Sequence, residues 1–148
     1  MIRLLGRTLS GRVLVAGVGR VDRLDDGAGP VLARRLASAS GIRTLDCGDR
    51  LEDFTGDIAR LRPDIVLVAD AVDLRAAPGS LALIEADKLP ADLNSHRASL
   101  RTAMEYLKLR THAKVLLLAV QPAQVADGVG LSKEVGATLD LLVDLFTV

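Results

Sequence analysis

VLVAGVGRVDRLDDGAG, residues 13–29, decides how this chain folds and where its chemistry can gather. It opens with an apolar run that has no polar alternation, which suits a strand buried on both faces. The run ends at Gly17 and Gly19, which let the backbone turn tightly, and Pro30 suits the first turn of a helix that follows. Between the glycines and that helix lie Asp22, Asp25 and Asp26. The pattern therefore delivers three carboxylates to a strand-to-helix connection and does not scatter them over a surface.

Working outward, residues 42–47, 65–70, 80–84 and 114–120 read as further buried strands, with helical patterns between them. Leu51, Phe54, Ile58 and Leu61 share one helical face that Pro63 closes; Leu100, Met104 and Leu107 form the next, and Val135, Leu139, Leu142 and Phe146 the last. Strands alternating with helices of roughly 10–15 residues predict an α/β fold whose parallel or mostly parallel sheet is covered on both sides. The connection 70–84 contains Pro78 and Gly79 and is too brief for a crossover helix, so the 80–84 strand is expected to run antiparallel to a neighbour, making the sheet mixed.

The 148 residues predict a single domain spanning 1–148, large enough to bury one substantial core. Hydrophobic residues make up 49% and aromatic residues only 2%, so the core must be aliphatic and aromatic stacking cannot be the main means of recognition. Nineteen basic and 19 acidic residues cancel, leaving no bulk field for nucleic acid or an anionic membrane. The single cysteine, Cys47, excludes an internal disulfide and a CxxC knuckle. Apolar segments fall far short of the roughly 20 residues that cross a bilayer, and no signal-peptide pattern opens the chain. A cytoplasmic protein with no direct membrane insertion is the expectation.

Ligands of open α/β sheets gather beyond the carboxyl ends of the strands. Four predicted strands end there in polar or permissive residues: Gly19 through Asp26, Cys47-Gly48-Asp49, Asp70, and Gln121-Pro122. Asp70, closing a long apolar run, is the sharpest position, either as a site carboxylate or as a cap for residues 71–77. Asp25 and Asp26 read either as site acids or as an ordinary Asp-Gly turn at a helix start. His96 lies beside Asn94 and Ser95, which suit a helix cap; with two carboxylates it completes an oxygen, oxygen, nitrogen set able to hold a borderline divalent metal. His112 reads as a surface residue and Cys47 as a small core hydrophobe. A dinucleotide fingerprint fails because Asp22 stands where its third glycine belongs, and neither a GxSxG elbow nor a Walker A loop occurs.

Together VLVAGVGRVDRLDDGAGP, VADAVDLRAAPGSL, NSHRASL and LAVQPAQV resemble, in order and spacing, the nickel-iron hydrogenase maturation endopeptidases, most of all the hydrogenase 3-type branch. The likeness spans roughly residues 13–146. It implies a three-layer α/β/α protein that removes a C-terminal tail from a hydrogenase large-subunit precursor after nickel insertion. Asp26, Asp70 and His96 fall on the family's metal-contacting positions, Asp26 and Asp70 being the catalytic candidates, and Gly48 lies near the substrate channel. The nickel is implied to reside in the substrate, with no tightly held cofactor in the enzyme. Three positions depart from the family pattern: Arg20 replaces a usual asparagine, Cys47-Gly48 replaces Gly-Gly, and Arg97 replaces a common amide. Arg20 could repel free metal, bind a precursor carboxylate or pair with Asp22. It leaves open an alternative: a non-catalytic, nickel-sensing or chaperone-like module that binds the large subunit.

Overall fold

The computed structural model describes residues 11–38, 42–89 and 95–147, with side chains from Ser99 onward in the last segment. Within these, five strands form one sheet: β1 (Val13–Gly17), β2 (Ile42–Asp46), β3 (Ile65–Ala71), β4 (Leu81–Glu85) and β5 (Lys114–Val120). Four helices accompany them: α1 (Ala28–Leu36), α2 (Thr55–Arg60), α3 (Ser95–Thr111) and α4 (Lys133–Thr147). Short 3-10 turns occupy Leu24–Gly27, Leu51–Phe54 and Ala86–Lys88. The strand order is β2-β1-β3-β5-β4, parallel except that β4 pairs antiparallel with β5, as the short 70–84 connection predicts.

Strand alternation divides the core into two layers. Leu14, Ala16, Val66, Val68 and Leu117 face one way and pack with Leu51, Ile58, Leu100, Met104 and Leu107, which belong to or precede α2 and α3. Val13, Val15, Leu67 and Leu118 face the other way and pack with Leu32 and Leu36 of α1 and with Val135, Leu139, Leu142 and Phe146 of α4. This is the three-layer α/β/α arrangement. Each fully buried Leu adds roughly 1.5–3 kcal/mol, so a core this largely aliphatic is sufficient with Phe146 as its one buried aromatic among the described residues.

Three expectations need correction. Strands β2 and β4 are the sheet edges and are only half-buried, because each has a partner on one side alone. The helix over residues 51–61 is broken into the 3-10 turn Leu51–Phe54 and the six-residue α2, although Leu51 and Ile58 still reach the core. No helix occupies residues 71–77; β3 continues through Ala71, so Asp70 is a strand residue and not a helix cap. No described helix is long and apolar enough to cross a membrane.

Candidate active site

The chain leaves β1 toward β2 on one side of the sheet and β3 lies on the other, so the strand order reverses between β1 and β3. Such a reversal opens a crevice at the carboxyl edge, where open α/β sheets bind ligands. Asp70 stands at that edge on β3, about 1% exposed, paired in register with Ala119 of β5. Its place in the alternation is that of Val66 and Val68, the face covered by α2 and α3.

Asp26 lies on the Leu24–Gly27 turn, which close backbone contacts hold against the ends of β1 and β3. A Cβ on Gly29 would overlap the carbonyl oxygens of Ala69 and Val18 and lie 2.7 Å from the Val18 nitrogen. Glycine at this position therefore lets the start of α1 rest directly on the ends of β1 and β3. Gly19, at φ 141°, is pressed in the same way against the Asp26 carbonyl. The half-buried Asp26 carboxylate accepts the Arg20 backbone N–H at 3.0 Å, which turns it back toward the β1 end.

The adjacent aspartate has a different role. Asp25 is wholly buried; its Oδ2 accepts the N–H groups of Ala123 (2.8 Å) and Gln124 (3.2 Å), and its Oδ1 accepts that of Ser132 (2.7 Å). Burial pushes the carboxyl group up, but the bonds from Ser132, Ala123 and Gln124 outweigh it and hold the pKa below the ordinary value. Asp25 is a structural anion that fastens the acid-bearing turn to the 121–132 loop. The residue pattern alone leaves Asp25 and Asp26 equivalent, whereas the family resemblance singles out Asp26, and the three backbone bonds to Asp25 accord with that division. Leu24, immediately before it, is left-handed at φ 52°, a costly conformation for a leucine held here by the surrounding bonds.

Gln121, at the end of β5, is buried, and its side-chain oxygen accepts the N–H groups of Leu74 and Ala76 while its amide donates to Asp73 at 3.3 Å. It holds residues 72–80 over the ends of β3 and β5. Arg20 forms a two-point pair with Asp22, Nε to Oδ1 at 3.0 Å and Nη2 to Oδ2 at 2.8 Å. The hydrogen bond from Arg20 holds the Asp22 carboxyl below its ordinary range. Of the three roles open to this cation, pairing with Asp22 is the one observed.

Gly48 lies beside a cleft of about 310 Å3 that is also lined by Gly19, Arg20, Pro30, Arg34 and Asp46. Its carbonyl accepts the Gly19 N–H at 2.7 Å, and a Cβ there would meet nothing within 4 Å, so the cleft is open above it. Cys47 next to it is buried, and burial pushes its thiol up to about 12, as befits a core residue and not a nucleophile. His112 is exposed at the end of α3, in agreement with its surface reading.

The His96 side chain lies outside the described residues; its backbone belongs to the first turn of α3. Because α3 leads directly into the start of β5, it runs antiparallel to that strand, and its first turn lies toward the carboxyl edge. Among the described residues no cluster of three metal-ligating side chains occurs. The carboxyl edge carries a buried carboxylate on β3, a half-buried carboxylate on the Leu24–Gly27 turn and an open cleft lined by two glycines and several charged side chains; the two carboxylates suit proton transfer and oxygen ligation of a cation.

Known proteins share this fold. Residues 30–147 match the HycI family, described as hydrogenase maturation protease; the matched stretch contains Asp70 and His96 and begins just after Asp26. The Hydrogenase 3 maturation protease of Escherichia coli K12 is 32% identical over 102 residues, 66% of this chain and 65% of its own length. The alignment thus spans slightly under two thirds of that relative. The crystal structure of HycI from Thermococcus kodakarensis superposes with a TM-score of 0.89 at 26% identity, covering 97% of this chain and 96% of that one. The solution structure of HycI from Escherichia coli gives 0.80 at 25% identity, with coverages of 91% and 88%. The superpositions extend beyond the matched sequence stretch to include the β1 end of the crevice, and the chain belongs to the hydrogenase maturation protease family.

Proposed function

We propose that this protein is the endopeptidase that removes the C-terminal tail of a nickel-iron hydrogenase large-subunit precursor once nickel has been inserted. The observation that carries this reading is the packing of the acid-bearing Leu24–Gly27 turn and the start of α1 on the ends of β1 and β3, the strand that carries the buried Asp70, at the strand-order reversal. Asp26, Asp70 and His96 would contact nickel held by the precursor. Two carboxylate oxygens and one imidazole suit a borderline divalent ion, and so small a set suits transient contact with a metal the substrate already holds.

Nickel in the precursor would supply Lewis acidity next to the scissile peptide. The chain's own residues hold the geometry: Asp26, fixed by the Arg20 N–H, orients the attacking water and accepts its proton, and Asp70 fixes the approach from β3. The cleft beside Gly48, where a side chain on the glycine itself would meet open space, takes the extended tail. The pairing of Arg20 with Asp22 partly satisfies the cation within the chain, which favours a working peptidase over a module that has lost turnover.

The test is mass spectrometry of a matching precursor, nickel-loaded and nickel-free, after incubation with the protein and with Asp26→Ala. Tail loss only from the loaded precursor, reduced by about 100-fold or more in the variant, is the expected result. Full tail removal by Asp26→Ala would overturn the assignment of Asp26, and binding of the loaded precursor without cleavage would favour the non-catalytic module.

A further inference from the structure

The amino edge of the sheet, opposite the crevice, gathers charge of one sign. Val13, Ile65 and Lys114 pair in register where β1, β3 and β5 begin, so the residues just before them share that edge. There a cleft of about 580 Å3 is lined by Arg12, Arg60, Arg62, Arg110, Thr111 and one described carboxylate, Asp64. The chain as a whole is neutral, so this is a local excess of cations.

The carboxylate is already committed. Asp64 Oδ2 accepts the Arg12 N–H at 2.8 Å and lies 3.6 Å from the Arg12 Nε. A Cβ on Gly11 would come within 2.7 Å of the same oxygen, so Asp64 is seated against the backbone that enters β1. The Asp64 N–H donates to the Arg12 carbonyl at 2.8 Å and the Lys114 N–H to the Asp64 carbonyl at 3.0 Å, which fixes this floor. Arg60 pairs with Asp57 at 2.7 Å. Arg62 and Arg110, both exposed, form no ion pair among the described residues.

Basic residues at helix C-termini are ordinary, and Arg60 and Arg110, in the last turns of α2 and α3, would each be unremarked alone. Arg62 differs. It stands just past α2 at φ 47°, its N–H bonded to the Ala59 carbonyl at 3.2 Å, in the left-handed position that closes helices and that glycine fills at least cost. The backbone is thus strained at the residue that adds an unpaired guanidinium to a cleft already lined by three others. Backbone strain of this kind clusters where a side chain has a use.

Guanidinium forks take phosphate and carboxylate oxygens two at a time. Two unpaired forks on one cleft suit a ligand with two or more such groups, and the volume is that of a small-molecule site. Nucleic acid is disfavoured, because no described aromatic residue lines the cleft for a base to stack on and the chain has no net positive charge.

We propose that this cleft binds a small ligand carrying two or more oxyanion groups, a diphosphate or a polycarboxylate, with Arg62 and Arg110 as its principal contacts. The site lies across the sheet from Asp26 and Asp70 and is independent of the peptidase reading.

The test is isothermal titration calorimetry of the full chain with pyrophosphate, with citrate and with acetate as a single-group control, all at matched ionic strength, for the wild type, Arg62→Gly and Arg110→Gln. The expected result is saturable binding of pyrophosphate or citrate to the wild type with Kd below about 1 mM, weakened about tenfold in each variant. Whichever of the two binds identifies the ligand as phosphoryl or carboxylate. Arg62→Gly is expected to melt no lower than the wild type, since glycine relieves the left-handed backbone, so its lost binding would not reflect lost folding. Arg110→Gln, at an exposed helix position, gives the same readout without touching that backbone. No saturable heat from any of the three up to about 10 mM, acetate binding as tightly as the multivalent probes, or equal affinity in the wild type and both variants would overturn the site.

Discussion

Asp25 and Asp26 are neighbours in sequence with opposite fates, and the difference can be measured. Replacing Asp25 by Ala leaves three buried N–H donors without their acceptor, an expected loss of about 3 kcal/mol or more and a Tm lower by roughly 6–12 °C. Asp26→Ala, at a half-buried side chain with one described hydrogen bond, is expected to cost far less stability while abolishing the proposed tail removal. The pH dependence has a definite sign. Since the folded Asp25 carboxyl is held below its unfolded value, its contribution is complete above the unfolded value near pH 4 and is lost as pH falls through the lower, folded one. The gap in Tm between wild type and Asp25→Asn should therefore narrow as pH falls below about 4, which calorimetry across pH 3–6 checks. At Cys47 the thiol near 12 predicts negligible reaction with a disulfide reagent at neutral pH in the folded protein and rapid reaction in denaturant.

Elements place what residues only offer. Strand β3 carries Asp70 into the crevice because it lies between β1 and β5 and is buried along nearly its whole length, and Gln121 at the end of β5 holds the backbone that leaves it. Gln121→Ala is expected to speed amide exchange at Leu74 and Ala76 by on the order of tenfold, with β3 and β5 amides unchanged, because only the 72–80 segment loses its acceptor. The glycines provide a second test at this scale. Gly29→Ala drives a Cβ into the Ala69 and Val18 carbonyls and should displace α1 from the sheet, whereas Gly48→Ala meets open space and carries only the cost of a left-handed alanine, about 1–2 kcal/mol. A Gly29→Ala protein that melts within 2 °C of the wild type would contradict that packing argument. The strands were legible at this scale because unbroken apolar runs mark sheet interiors, but the half-exposed state of β2 and β4 was not, since being at an edge depends on which strands pair.

For the molecule as a whole, stability resides in two aliphatic layers and not in charge. The pairs Arg34–Asp46, Arg50–Asp53, Arg60–Asp57 and Arg35–Asp140 are all substantially solvated, and such pairs are worth about 0–1 kcal/mol each. Raising salt tenfold from about 50 mM should accordingly shift Tm by no more than roughly 3 °C. The sequence by itself determined the fold class, the antiparallel β4, the helical faces built on Leu100, Met104, Leu139 and Leu142, and the gathering of acids at strand ends, because each follows from local periodicity and chain length. It also marked Asp70, since a carboxylate closing a long apolar run stands out without any fold. Only the tertiary structure decided that Asp70 is a strand residue and not a cap, that Arg20 turns to Asp22, and that Asp25 is an anchor for the 121–132 loop. The physical reason is common to all three. The partners that settle the roles of Asp70 and Asp25 are strand neighbours and backbone N–H groups distant in sequence, and the partner of Arg20 is fixed by which way one side chain turns, so each exists only once the sheet has brought the strand ends together.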